Sequence, residues 1–117
     1  MSTQITEPPT TEDVQRRGHV AALAVAAAIN EASPIVPDDL KTTCNNFAMD
    51  RPRVDVYFHD SAEGVEALAQ VLDVQAETRP FRATDPRPYV EMSTVVAGVP
   101  VVAWSLLSTS VDDEVTA

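Results

Sequence analysis

From residue 53 to residue 107 the chain alternates apolar and polar side chains in a pattern that reads as a strand, a helix and a hairpin, in that order. In Arg53-Val54-Asp55-Val56-Tyr57-Phe58, Val54, Val56 and Phe58 fall on one side and Arg53, Asp55 and Tyr57 on the other, the period of a half-buried strand. From Ser61 to Leu72 the period changes. Val65, Leu68, Ala69 and Leu72 form a stripe at helical spacing, and Asp60, followed three residues on by Glu63, reads as the helix cap. Tyr89 to Val95 and Val99 to Leu107 then read as two strands joined through Gly98. With a three-residue loop Val96-Ala97-Gly98, Val90 faces Trp104 and Met92 faces Val102, which gathers the large apolar groups on one face and leaves Val101 and Ala103 on the other. That second apolar face implies a central strand, or a cover supplied by the first helix or a second subunit.

The expected fold class is therefore α+β: an antiparallel sheet of four to five strands with a βαββ core and a long apolar N-terminal helix. The chain of 117 residues has the length of one domain, and its 44% hydrophobic content suffices for a core. The expected division is a solvated N-terminal tail over residues 1–10, one domain over 11–107 and an acidic C-terminal tail over 108–117, the last carrying Asp112-Asp113-Glu114.

The N-terminal helix is expected from Thr11 or Glu12 to Ala32, capped by Thr10 or Thr11, with Glu12 and Asp13 in its first turn and Ser33-Pro34 as the stop. From Val20 to Ile29 no polar side chain interrupts it, so it is expected to be buried between layers, or to lie against a sheet and a second partner. This run is about half of the ~20 apolar residues that a membrane-spanning helix needs. Residues 38–48 admit either a short helix with Leu40, Cys44 and Phe47 on one face or a short strand around Lys41-Thr42-Thr43-Cys44, and we favour the strand, followed by a turn at Asn45-Asn46. Glu77 to Thr84 contains Pro80 and reads as an irregular or edge strand, and Pro86 and Pro88 mark a loop after it.

Composition excludes several function classes. The formal charge of −10, from eighteen acidic and eight basic residues, argues against direct binding to nucleic acid or to anionic membranes. A single cysteine excludes an internal disulfide and any multi-cysteine zinc site, and fits a cytoplasmic protein. Cys44 reads as a small buried hydrophobe, since no neighbouring group in sequence activates it. His59-Asp60 at a strand-to-helix junction is the one pairing with acid-base potential, and Asp60 is better explained as a helix cap. With three glycines in the chain there is no phosphate-cradling loop. No catalytic residue, metal ligand or cofactor site is expected.

Two charged groups remain. Arg79, Arg82 and Arg87, interleaved with Phe81 and Tyr89, form the main basic concentration, able to grip a phosphate, a nucleic acid or an acidic protein surface. Asp60, Glu63, Glu66, Asp73 and Glu77 lie in a stretch without any positive residue. Such bipolarity suits self-association.

Val-Asp-Val-Tyr-Phe-His (54–59), Gly-Val-Glu-Ala-Leu-Ala-Gln-Val-Leu (64–72) and Ala-Gly-Val-Pro-Val-Val-Ala-Trp (97–104) together resemble small uncharacterised α+β proteins of actinobacteria and their phages or mobile elements. The resemblance implies a βαββ core and brings no catalytic residues. The expectation is a non-enzymatic interaction or regulatory protein, a homo-oligomer acting through protein contacts at Arg79, Arg82, Arg87, Tyr89, Val101, Ala103, Asp60, Glu63 and Glu66. The alternative is an acidic inhibitor that mimics nucleic acid and blocks a DNA- or RNA-binding protein.

Overall fold

Residues 10–44 and 51–108 are described by a computed structural model; the expected turn at Asn45-Asn46 and most of both terminal tails lie outside them. The elements run α1 (Thr11–Ala32), β1 (Asp39–Thr43), β2 (Arg53–Tyr57), α2 (Ala62–Val71), β3 (Glu77–Arg82), β4 (Asp85–Val96) and β5 (Val99–Leu106). The five strands form one sheet in the order β1-β2-β5-β4-β3. The class is α+β as expected, but the sheet is mixed. β5 inserts between β2 and β4 and runs parallel to β2, with Val54 opposite Val101 and Tyr57 opposite Trp104. Every other pairing is antiparallel.

Both helices pack on one face of this sheet. Ala22, Val25, Ala26 and Ile29 of α1 and Val65, Leu68 and Ala69 of α2 form a single core with Val54, Val56, Phe58, Val90, Met92, Val99, Val101 and Ala103. α1 starts in a full capping box: the Thr10 hydroxyl accepts from the Asp13 N–H, and the Asp13 carboxylate accepts from the Thr10 N–H. Of the two settings its apolar run allows, burial between layers is not found; the helix lies on the sheet. One stripe faces the sheet, and Val20 and Leu23 on the far side are 60% and 58% exposed. Alanine makes this possible, because its small side chain costs little where it meets water. No helix among the described residues is long and apolar enough to cross a membrane.

The cap of α2 is Ser61, not Asp60: the Ser61 hydroxyl accepts from the Gly64 N–H. Asp60 takes a left-handed backbone (φ 45°), and its carboxylate accepts from the Ser108 N–H instead. The hairpin register also differs from the expected one. Its loop has two residues, Ala97 and Gly98, at φ 51° and 82°, so both supply the positive φ that a primed hairpin turn requires. Val96 then pairs with Val99, Met92 with Ala103 and Val90 with Ser105. A one-residue slip exchanges the faces of a strand, so Val101 and Ala103 lie in the core at 0% exposure and Trp104 turns to the other side. The small residues sit where the helices press: Ser105, fully buried, accepts the Ser61 N–H at 2.8 Å.

Pro86 and Pro88 lie within β4 and not in a loop. The Pro88 carbonyl accepts from the Leu107 N–H, so its main-chain polar groups face β5. The Pro80–Pro88 pair opposite is then a non-hydrogen-bonded one, and the Pro80 nitrogen points to the outer edge of the sheet, where no donor is needed. β3 is thus the edge strand that Pro80 implies, with an irregularity between Pro80 and Arg82.

Candidate functional site

The sheet face opposite the helices is covered by no element among the described residues. Strand alternation gives it Arg53, Asp55 and Tyr57 from β2, Val102, Trp104 and Leu106 from β5, and Arg87, Tyr89, Glu91, Ser93 and Val95 from β4. Trp104, on the central strand, has its ring centroid 4.6 Å from that of Tyr57 and 6.0 Å from that of Tyr89. Phe81 continues the row 5.5 Å beyond Tyr89, and His59 ends it 6.2 Å from Tyr57. Five rings therefore cross the sheet from β3 to the end of β2 in an unbroken strip. The four larger ones are half-buried, so each keeps part of its surface in water.

Arginines frame the strip. The Arg79 guanidinium lies over the Tyr89 ring at 4.9 Å, and that of Arg82 over Phe81 at 4.4 Å. Most of their charge is answered on the same face: Arg79 pairs with Glu91 at 3.2 Å, Arg53 with Asp55 at 2.9 Å and Arg87 with Asp85 at 2.6 Å. The hydrogen bond from Arg87 holds the Asp85 carboxyl below its ordinary value, and the same contact raises Arg87. Burial pushes the Tyr89 hydroxyl up, and the Glu91 charge and hydrogen bond add to this. Glu91 thus serves Arg79 and Tyr89 together, fixing both at the centre of the strip.

Of the residues expected to form contact surfaces, Arg79, Arg82, Arg87 and Tyr89 are brought together here. Val101 and Ala103 are not available to a partner, being fully buried beneath the helices. Asp60 lies at the sheet end before α2, while Glu63 and Glu66 project from α2 in the opposite layer, beside a shallow groove that Gln70, Val74 and Ala76 also line. Arg79, Arg82 and Arg87 therefore lie on one side of the sheet and Glu63 and Glu66 on the other, with carboxylates of the arginine face answering most of its positive charge. Tyr57, Phe81 and Trp104 were absent from the expected contact set. The signal for them is the half of each strand pattern that does not face the core, and reading it requires the hairpin register.

The His59 and Asp60 side chains do not meet as a pair. Imidazole Nδ1 lies 2.8 Å from the Tyr57 hydroxyl, while the Asp60 carboxylate accepts from Ser108. Cys44 is buried, and its carbonyl accepts from the Gln15 side chain. No cluster of three or more His, Cys, Asp or Glu residues suited to a metal occurs among the described residues. No protein-family model matches the chain, and no curated protein matches it.

Proposed function

We propose that this chain is a non-enzymatic protein-interaction module that docks a protein partner on the helix-free face of its sheet. The observation that carries the reading is the strip of rings centred on Trp104 with three of its arginines, Arg53, Arg79 and Arg87, already paired to carboxylates. Aromatic and arginine side chains are the types that dominate the centres of protein interfaces, and a polar rim of paired charges surrounds such centres. Stacked rings on an open sheet also suit single-stranded nucleic acid, but that requires unpaired positive charge to meet phosphates, and here Arg53, Arg79 and Arg87 are neutralised in place within a chain of net charge −10.

Trp104 is the single tryptophan, so its fluorescence reports directly on occupancy of the face. The test compares proteins captured from the native host by the parent, by Trp104→Arg, by Val102→Arg on the same face and by Glu66→Gln on the opposite layer, each shown to be folded by circular dichroism. The expected partner is retained by the parent and by Glu66→Gln, is lost with both face variants, and, once purified, shifts Trp104 emission on titration. A partner unaffected by Trp104→Arg and Val102→Arg would refute the assignment. So would saturable quenching of Trp104 by single-stranded DNA.

A further inference from the structure

The outward side of α1 is a second exposed apolar surface, separate from the ring strip. Gly18, Ala22, Val25, Ala26 and Ile29 face inward. Directly opposite, at alternating spacings of three and four, run Arg17, Val20, Ala24, Ala27 and Glu31, all exposed. That spacing is the seam of a helix that packs lengthwise on another helix. The solvent side of a surface helix is ordinarily polar. Here no Asp, Glu, Lys or Arg stands between Arg17 and Glu31, and Val20 and Leu23 expose more than half of their surface. Arg16 is paired with Asp13, whereas Arg17 and Glu31 make no ion pair among the described residues.

We propose that this seam binds a second copy of the chain, with the two α1 helices antiparallel about a two-fold axis at Ala24. The charges select both the occupant and the direction. Arg17 and Glu31 each stand seven residues from Ala24, or about 10 Å along the helix. An antiparallel pair therefore brings Arg17 of each helix level with Glu31 of the partner subunit, closing two ion pairs at the ends of an apolar seam. A parallel pair would set like charges side by side. Ala24 and Ala27 present only methyl groups, so the axes can approach to about 8 Å, the close end of the range for packed helices. One helix pair is a small interface, which places the association in the range of transient dimers. The seam faces away from the sheet, so a dimer carries two free ring strips and can engage a partner at two points.

The test is sedimentation velocity on the full chain from about 5 to about 500 µM, a range suited to a weak dimer. The expected result is a concentration-dependent dimer. Arg17→Glu alone and Glu31→Arg alone should each weaken it about tenfold or more, and the combined Arg17→Glu/Glu31→Arg chain should recover it to within about threefold. Ala24→Glu, which sets like charges together on the axis, should abolish it. All of these positions are exposed on the helix, and far-ultraviolet circular dichroism verifies the fold. A chain that stays monomeric throughout overturns the proposal, as does a dimer indifferent to the charge reversals, a swap that fails to rescue, or a dimer lost with Trp104→Arg. Apart from loss with Trp104→Arg, which would move the dimer contact to the ring strip, these outcomes leave partner binding there to be read separately by the capture experiment.

Discussion

Replacing Gly64 by alanine tests how tightly α2 is seated on the sheet. Gly64 is in the first turn of α2 and buried against Phe58, itself 1% exposed. A Cβ built on Gly64 overlaps Cδ1 of the Phe58 ring and stands 2.8 Å from Cε1 and Cγ, well inside the distances that real Cβ contacts show. Two effects oppose each other. Alanine is the better helix former, by about 1 kcal/mol in a helix interior and less in a first turn. Forcing an extra methyl into a packed core costs about 1–3 kcal/mol. The Phe58 ring is buried in the core and its backbone is held to Trp104 through the Phe58 N–H, so the ring can withdraw only by displacing its packed neighbours. The net expectation is a loss of about 1–2 kcal/mol, at about 4–8 °C in Tm per kcal/mol for a domain near this size. Urea unfolding followed by Trp104 fluorescence measures it. Phe58→Leu alone should cost about 1–2 kcal/mol through the space it vacates. In the double variant the alanine methyl occupies part of that space, so the combined loss should fall short of the sum by about 1 kcal/mol. If Gly64→Ala is as stable as the parent, or if the two losses simply add, the steric reasoning is wrong.

Ala97→Asn should stabilise the hairpin by about 0.5–1 kcal/mol, because asparagine accepts the left-handed conformation that Ala97 holds at φ 51°; an unchanged or lower urea midpoint would contradict this. Ser105→Ala should cost about 1–3 kcal/mol by leaving the part-buried Ser61 N–H without its acceptor, whereas equal stability would mean that water replaces the hydroxyl. Tyr89 has its folded pKa raised above 10.0. The folded state therefore holds that proton more firmly than the unfolded chain, and its contribution is complete below pH 10 and lost as pH rises through the folded value. Urea midpoints taken across that alkaline range should fall less steeply for Tyr89→Phe than for the parent, and parallel declines would rule out the assignment.

The parts of this fold that are legible in sequence are those governed by local rules. Thr10 and Asp13 mark the start of α1, Val54 and Val56 define the inward side of β2, and Pro80 places β3 at an edge, because each choice is settled within a few residues. The hairpin register is not, since Ala97 carries none of the Asn-Gly or Asp-Gly signal of a primed turn and adopts the left-handed region under tertiary constraint. Ser61 displaces Asp60 as the cap because Ser105, more than forty residues away in sequence, accepts its N–H. The ring strip was half legible: Arg79, Arg82, Arg87 and Tyr89 stood out as a cluster, but Tyr57 and Trp104 join them only once β5 lies beside β2.

That insertion of β5 also sets the order in which the molecule can assemble. β2 and β4 have no pairing with each other; each is joined to the sheet's other half only through β5. Before residues 99–106 dock, the chain holds at most two separate antiparallel ladders, β1–β2 and β3–β4, each with an open inner edge. The closing contact, Val54 to Val101, spans 47 residues, and loop closure of that length is entropically costly before it is rewarded. During synthesis, β2 emerges about forty residues before β5, whereas β4 precedes β5 by only the Ala97-Gly98 turn, so the inner edge of β2 and the apolar undersides of α1 and α2 stay exposed until the β4–β5 hairpin arrives. The sheet is therefore completed by one late event, and substitutions in β5 that slow docking will act on folding yield more than on the stability of the finished protein.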